Sequence, residues 1–257
     1  MTVLYRGSRL FYTDEGQGPA LIFLHGLLEN HNMWGFMIKD LKSTHRVIFI
    51  DLPGHGESEV LREQNSMEDI AEALRFLLDK LEIKKVYIVG HSMGGYVGLA
   101  YAKEYPIQTL GLFLMNSTPE GDTLERKKLR KHGIEVAQNN YEALVKMSVG
   151  NLFSKESREK YVDAIEETKI EALKTPLQGY IASQKGMMER EDLSLFWAQA
   201  KFKRAMLLGA DDTLINAEKL YNAYSNRGVK VDIVKGGHMA QIENTSEVVS
   251  ALLKFII

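Results

Sequence analysis

Cysteine is absent from the 257 residues, which excludes disulfides, a thiol nucleophile, zinc–thiolate sites and iron–sulfur clusters. The five prolines stand singly, and no Pro-, Gly- or Ser-rich stretch, low-complexity tract or internal repeat suggests a linker. Neither sign of charge is in excess. The chain has 32 Lys and Arg against 34 Asp and Glu, a net −2, so nothing points to a nucleic-acid or anionic-membrane surface. No run approaches the ~18 consecutive apolar residues of a membrane-spanning helix. Residues 1–12 carry Arg6 and Arg9 among scattered apolar residues and hold no apolar core of signal-peptide length, so a cytoplasmic protein without membrane insertion is expected. A P-loop, a dinucleotide fingerprint and an H-E-x-x-H pair are all missing, so no nucleotide cofactor and no catalytic metal are expected.

What is present fits a soluble globular chain with a sizeable core: 45% apolar and 26% charged residues. The length suits one large domain, or a core carrying an insertion. Short apolar runs at 20–24, 46–50, 85–89 and 110–115 read as buried strands. The segment 67–81 between them repeats Ile70, Ala73, Leu74, Leu77, Leu78 and Leu81 at helical spacing. Strands alternating with helices imply a mostly parallel twisted sheet flanked by helices, an α/β fold. From 119 to 200 the sequence turns charged and helix-forming, with helices expected at 125–131 and 156–174 and no convincing strand. Alternation then resumes with a strand at 205–208, a helix near 217–224, a strand at 229–234 and a closing helix over 246–257. One core, residues 1–118 and 201–257, is thus interrupted by a helical insertion, residues 119–200.

The strongest chemical signal is Gly90-His91-Ser92-Met93-Gly94, directly after a strand and before the helical stretch 96–105, a G-x-S-x-G nucleophile elbow. A serine hydroxyl is a poor nucleophile at neutral pH. It needs a sharp turn that presents it to a base and to backbone amides able to receive charge. Of seven histidines, His238 sits in a glycine-flanked loop, Gly236-Gly237-His238-Met239, right after a late strand, and is the candidate base. Gly209-Ala210-Asp211-Asp212 follows another strand and offers the acid that would orient the imidazole, with Asp212 favoured over Asp211. The order Ser92, Asp212, His238 differs from those of chymotrypsin and subtilisin and matches that of α/β-hydrolases.

On these residues the chain resembles the α/β-hydrolase fold family over nearly its whole length. His25-Gly26-Leu27-Leu28 stands where the family places half of its oxyanion hole, and the resemblance implies that Leu27 and Met93 donate backbone N–H there. His25, Glu29 and His31 cluster in sequence but are not read as a metal site, since there is no H-E-x-x-H pair and His25 belongs to the turn. Residues 51–58, Asp-Leu-Pro-Gly-His-Gly-Glu-Ser, resemble the family's D-x-x-G-x-G-x-S turn, which gives Asp51 a structural role. Some members place the acid after the strand following the elbow, but that position here reads Met115-Asn116-Ser117. Departures are small: Asn216 stands where proline often follows the acid loop, and Gln241-Ile242-Glu243-Asn244 follows His238.

The resemblance makes residues 119–200 a lid that shapes the substrate pocket. Tyr141, Met147, Phe153, Tyr161, Tyr180, Met187, Met188, Phe196 and Trp197 in it, and Trp34 outside it, are available to line a cavity or simply to pack. The basic run from Arg126 to Lys131 reads as a solvated helix face. The implied activity is cofactor-free hydrolysis of a small carboxylic ester through an acyl-enzyme. Lactonases, thioesterases, carbon–carbon hydrolases and perhydrolases share this machinery, and a non-catalytic small-molecule-binding module uses the same fold. Serine at position 92 disfavours haloalkane dehalogenases and epoxide hydrolases, which use aspartate. Met93 disfavours prolyl aminopeptidases, which typically carry tryptophan there.

Overall fold

The apolar runs lie side by side in one eight-stranded sheet. The computed structural model describes residues 1–256. Its strands are β1 (Thr2–Tyr5), β2 (Ser8–Glu15), β3 (Ala20–Leu24), β4 (Arg46–Ile50), β5 (Val86–His91), β6 (Thr109–Met115), β7 (Lys203–Gly209) and β8 (Lys230–Val234). They are ordered β1-β2-β4-β3-β5-β6-β7-β8. The β1/β2 and β2/β4 pairs are antiparallel and all others are parallel. The helices in chain order are α1 (Ile38–Leu41), α2 (Met67–Lys80), α3 (Met93–Glu104), α4 (Leu124–Leu152), α5 (Lys155–Lys160), α6 (Val162–Ala172), α7 (Leu177–Glu189), α8 (Ser194–Gln199), α9 (Ala217–Tyr224), α10 (Ala240–Glu243) and α11 (Thr245–Ile256).

Strand side chains alternate between two cores, as the period of two requires. Ile22, Ile48, Ile88, Leu112 and Met206 join Leu74, Val97 and Leu220 from α2, α3 and α9 on one face. Phe23, Phe49, Val89, Phe113 and Leu207 join Trp34, Leu41 and Leu252 on the other. With both faces covered, these strands read as continuous apolar runs. Ser66 fixes the start of α2, its hydroxyl accepting from Asp69 N–H at 3.0 Å.

The β1–β2 hairpin is the element that periodicity leaves unread. Its strands are half exposed, and its turn is Arg6-Gly7 with φ of +50° and +86°, the left-handed pair of a tight hairpin. Elsewhere the differences are at ends. Strand β5 runs on to His91, and the helix after the elbow begins at Met93 rather than at 96. The expected helix 125–131 is the first part of α4, which continues to Leu152 through a kink at Asn140. The expected helix 156–174 divides into α5 and α6 at Tyr161. The closing helix is α11, and Ile257, included in the sequence reading, lies outside the described residues. Between β6 and β7 the described chain forms helices α4 to α8 and no strand.

The parallel register is what gathers the site. Leu24 pairs Gly90, His91 pairs Met115, and Met115 pairs Leu207. The segments leaving β3, β5, β6, β7 and β8 therefore emerge along one edge of the sheet, the carboxyl edge where open α/β sheets bind ligands.

Candidate active site

Ser92 lies between β5 and α3 with φ +49° and ψ −115°, a conformation that costs an L-residue of order 1–3 kcal/mol. The surroundings hold it there: Ser92 N–H donates to Met115 O at 3.0 Å, and Ser92 O accepts from Ser117 Oγ at 2.8 Å and Gly95 N–H at 3.0 Å. The turn is also crowded. A Cβ on Gly94 would stand 2.1 Å from Leu24 O and 2.7 Å from His25 O, both rigid backbone. Gly94→Ala is accordingly expected to cost about 3 kcal/mol, at the upper end of overpacking effects. For a domain of this size that is a Tm fall of about 6–12 °C in thermal unfolding. An unchanged Tm would mean that the elbow and β3 separate freely.

His238 follows β8, and its Nδ1 lies 2.7 Å from Asp212 Oδ2, with 3% and 1% of the two side chains exposed. Asp211, the other member of the doublet, is exposed. Asp212 Oδ1 accepts from Leu214 N–H at 2.8 Å and Ile215 N–H at 3.1 Å. Burial raises the Asp212 carboxyl, but His238, the Asn116 amide and the Leu214 N–H outweigh it and hold the group below its ordinary value. It therefore stays an anion beside the ring. Ser92 and His238 face one cavity of about 280 Å³, at the small end of the roughly 300–1,000 Å³ typical of ligand sites. Among the described residues the Ser92 hydroxyl has no hydrogen-bond partner.

Leu27 also lines this cavity, in a turn where Leu28 has φ +65°. Among the described residues neither the Leu27 nor the Met93 N–H donates to another protein group. The Met93 amide opens helix α3, where N–H groups have no intrahelical partner.

Asn116 carries a role that its sequence position does not disclose. Its Nδ2 donates to Asp212 Oδ2 at 2.8 Å and to Gly237 O at 3.2 Å, tying the acid to the His238 loop. Its place at the end of β6 is the available signal. Glu243 clamps the same loop, its Oε1 accepting from Gly237 N–H at 2.8 Å and its Oε2 from Ser154 N–H at 3.1 Å. Asn216 caps α9 through Lys219 N–H at 2.9 Å, so proline is not needed there.

Beneath the elbow, Glu29 accepts from Gly26 N–H and meets His91 Nδ1 at 2.9 Å, while His91 Nε2 lies 2.9 Å from His238 O. Both partners of the ring are acceptors. Burial alone favours the neutral forms, yet the mutual attraction raises His91 and lowers Glu29. The three acidic and imidazole groups near the turn go separate ways. His25 Nε2 accepts from Leu52 N–H at 2.9 Å, and His31 Nδ1 meets Asp51 at 2.9 Å. Asp51 Oδ2 also accepts from Glu57 N–H at 2.8 Å, fixing the turn after β4. Among the described residues no group of three or more His, Asp or Glu side chains is placed to hold a metal.

Of the apolar residues available in 119–200, Tyr180 and Met187 reach the cavity wall, while Trp34 packs 5.1 Å from Phe23 in the core and Met147 is exposed. The basic run departs from the expected solvated face: Lys128 and Lys131 are exposed, but Arg126 and Arg130 line the cavity. Arg130 and Arg190 both pair with Asp122, whose side chain is 2% exposed. Burial raises the Asp122 carboxyl, but the two guanidinium groups hold it below its usual value. Asp122→Asn strands two buried cations and is expected to cost about 3–5 kcal/mol in urea unfolding at neutral pH. Because the folded carboxyl titrates below the unfolded one, its stabilisation is full above the ordinary carboxylate range and is lost as pH falls through the depressed value. The variant should lack that part of the acid dependence, and equal losses at neutral and acid pH would contradict this account.

A family model described as the alpha/beta hydrolase fold matches residues 19–245. The chain belongs to the alpha/beta hydrolase fold family. Within it, the chain is 30% identical over 246 residues to the dihydrolipoyllysine-residue acetyltransferase component of the acetoin cleaving system of Pseudomonas putida, covering 93% of this chain. It spans 64% of that relative's length. It is 24% identical over 241 residues to 3-oxoadipate enol-lactonase 1 of Acinetobacter baylyi, covering 93% of this chain and 88% of the lactonase. Among solved alpha/beta hydrolases, a thermophilic esterase from Thermogutta terrifontis, studied with malate bound, superposes with a TM-score of 0.92 at 26% identity, covering 99% of this chain and 96% of the esterase. Among the described residues of this alpha/beta hydrolase, no helix is long and apolar enough to cross a membrane.

Proposed function

We propose that this chain hydrolyses small carboxylic esters through an acyl-enzyme, with Ser92 as nucleophile, His238 as general base and Asp212 as the carboxylate that orients it. The observation that carries the reading is the 2.7 Å Asp212–His238 pair at the cavity into which Ser92 opens. Ser92 Oγ attacks the ester carbonyl carbon as its proton passes to His238 Nε2, and the Leu27 and Met93 N–H groups receive the charge on the carbonyl oxygen. Collapse of the tetrahedral species breaks the bond to the alcohol, which leaves with the proton from His238. Water, deprotonated by the same ring, then releases the acid. Residues 1–118 and 201–257 serve as the catalytic core and residues 119–200 as a lid, consistent with the cavity wall supplied by α4 and α7.

Opening of a lactone is the second reading. It uses the same attack, and similarity to the enol-lactonase across 88% of that enzyme's length favours it over a thioester or peptide substrate. The decisive experiment is intact-mass analysis after exposure to a fluorophosphonate. One adduct on the wild type, lost in Ser92→Ala and His238→Ala, is expected. An unlabelled wild type that also leaves small esters intact would turn the reading toward a binding module.

A further inference from the structure

The run from Arg126 to Lys131 contributes to the cavity through one helical face, because residues four apart on α4 stack together. Arg126 and Arg130 occupy that face and share the cavity with Ser92 and His238. Arg130 is compensated: it pairs with Asp122, and its NH1 donates to Gln184 Oε1 at 2.9 Å. Arg190, stacked 3.9 Å over the Tyr96 ring, uses the same carboxylate. Two guanidinium groups therefore share one Asp. Glu29, the one carboxylate among the described residues that line this cavity, is already matched by His91.

Arg126 is left over. It is half-buried, and among the described residues it has no carboxylate within ion-pair distance. A guanidinium drawn out of water without a counter-charge is costly, and its planar fork fits a carboxylate in two parallel hydrogen bonds. Tyr180 adds a neutral donor. Its oxygen accepts from Gln184 Nε2 at 2.8 Å, which leaves the hydroxyl proton free for a ligand in the cavity.

We propose that Arg126 receives a free carboxylate of the substrate, so that the esters cleaved at Ser92 are half-esters of short dicarboxylic acids. The inference rests on the proposed function for the ester but not for the carboxylate, and the test separates the two. The cavity volume of about 280 Å³ limits the chain between the two carboxyl groups to a short one.

The test compares 4-nitrophenyl hydrogen glutarate with 4-nitrophenyl pentanoate, which match in length and differ in the terminal charge. The wild type is expected to favour the charged ester in kcat/KM by at least about tenfold, and Arg126→Met to lower that ratio by about 10- to 100-fold, the range of a charge-assisted bond. Arg126→Lys, which keeps the charge but not the fork, should fall between them and carries the test if the Met variant does not fold. Glutarate binding to Ser92→Ala is measured by calorimetry beside the double variant Ser92→Ala/Arg126→Met. Saturable binding present in the first and lost in the second is expected. A wild-type ratio near one, or a ratio unchanged in Arg126→Met whatever the absolute rates, overturns the inference while leaving ester hydrolysis intact. Glutarate binding through Arg126 without turnover of either ester overturns the hydrolase reading and leaves the carboxylate site.

Discussion

Replacing Ser92 by alanine is expected to lower ester turnover by about 10⁶-fold, the size of effect seen when the nucleophile of a serine triad is removed. Alanine removes only Oγ, and the bonds that hold the elbow, Ser92 N–H to Met115 O and Ser117 Oγ to Ser92 O, come from the backbone of residue 92 and survive. The fold should therefore persist with unchanged Tm. Some catalysis above the uncatalysed rate should persist as well, because the Leu27 and Met93 amides and the cavity remain. Other hydroxyls are poorly placed to substitute. Ser117 donates to Ser92 O, Ser183 is fully buried, and Ser148 lines the cavity from the interior of α4 rather than from a strand–helix elbow. Initial rates on 4-nitrophenyl esters check the expectation. A Ser92→Ala protein within tenfold of wild type would remove Ser92 from the chemistry and send the search to Ser148 or to a water activated by His238.

How much of this was legible in advance depends on whether a signal is local. Ser92 and His238 are each marked within five residues by glycines and a preceding apolar run, so the sequence alone places both at strand ends. The Asp211-Asp212 doublet is less informative, since either side chain is two bonds from the same backbone. Only the Gly209 turn, with Asp212 N–H near Gly209 O at 3.3 Å and Asp211 N–H bonded to Gly236 O at 2.9 Å, turns the second carboxylate inward. Asn116 is illegible for a different reason: its partner is 96 residues away and meets it only because β6 and β7 are adjacent. The hairpin β1–β2 was hidden by half-exposed strands whose pattern is diluted with Arg, Thr, Asp and Glu. Arg126 and Arg130 were hidden by their neighbours. Lys127, Lys128 and Lys131 supply the look of a solvated face, and because Lys127 and Lys131 share the i, i+4 spacing of the two arginines, nothing within the run marks the side that turns inward.

That dependence on distant partners makes Asp212→Asn the sharpest test of how the site is oriented, with an expected fall in kcat of about 10³–10⁴-fold. The carboxylate has two different sides. Oδ1 accepts from the Leu214 and Ile215 amides, and Oδ2 accepts from Asn116 Nδ2 and faces His238 Nδ1. An asparagine has one oxygen, and the two fixed backbone donors will claim it, which leaves its NH₂ toward the ring. His238 Nδ1 must then accept a hydrogen bond, the proton moves to Nε2, and that nitrogen no longer takes the proton from Ser92. Asn116 would also have to turn its amide, so that its Oδ1, now buried without a partner, accepts from the new NH₂ while its bond to Gly237 O is lost, a cost of about 1 kcal/mol. The substitution is therefore accommodated in the fold while it inverts the tautomer that the reaction needs. Tm within a few degrees of wild type, together with the lost kcat and correspondingly slow fluorophosphonate labelling, is the expected pair of results. A fall of less than tenfold in both rates would mean that His238 keeps its productive tautomer without the carboxylate, held instead by the loop that Glu243 and Asn116 clamp.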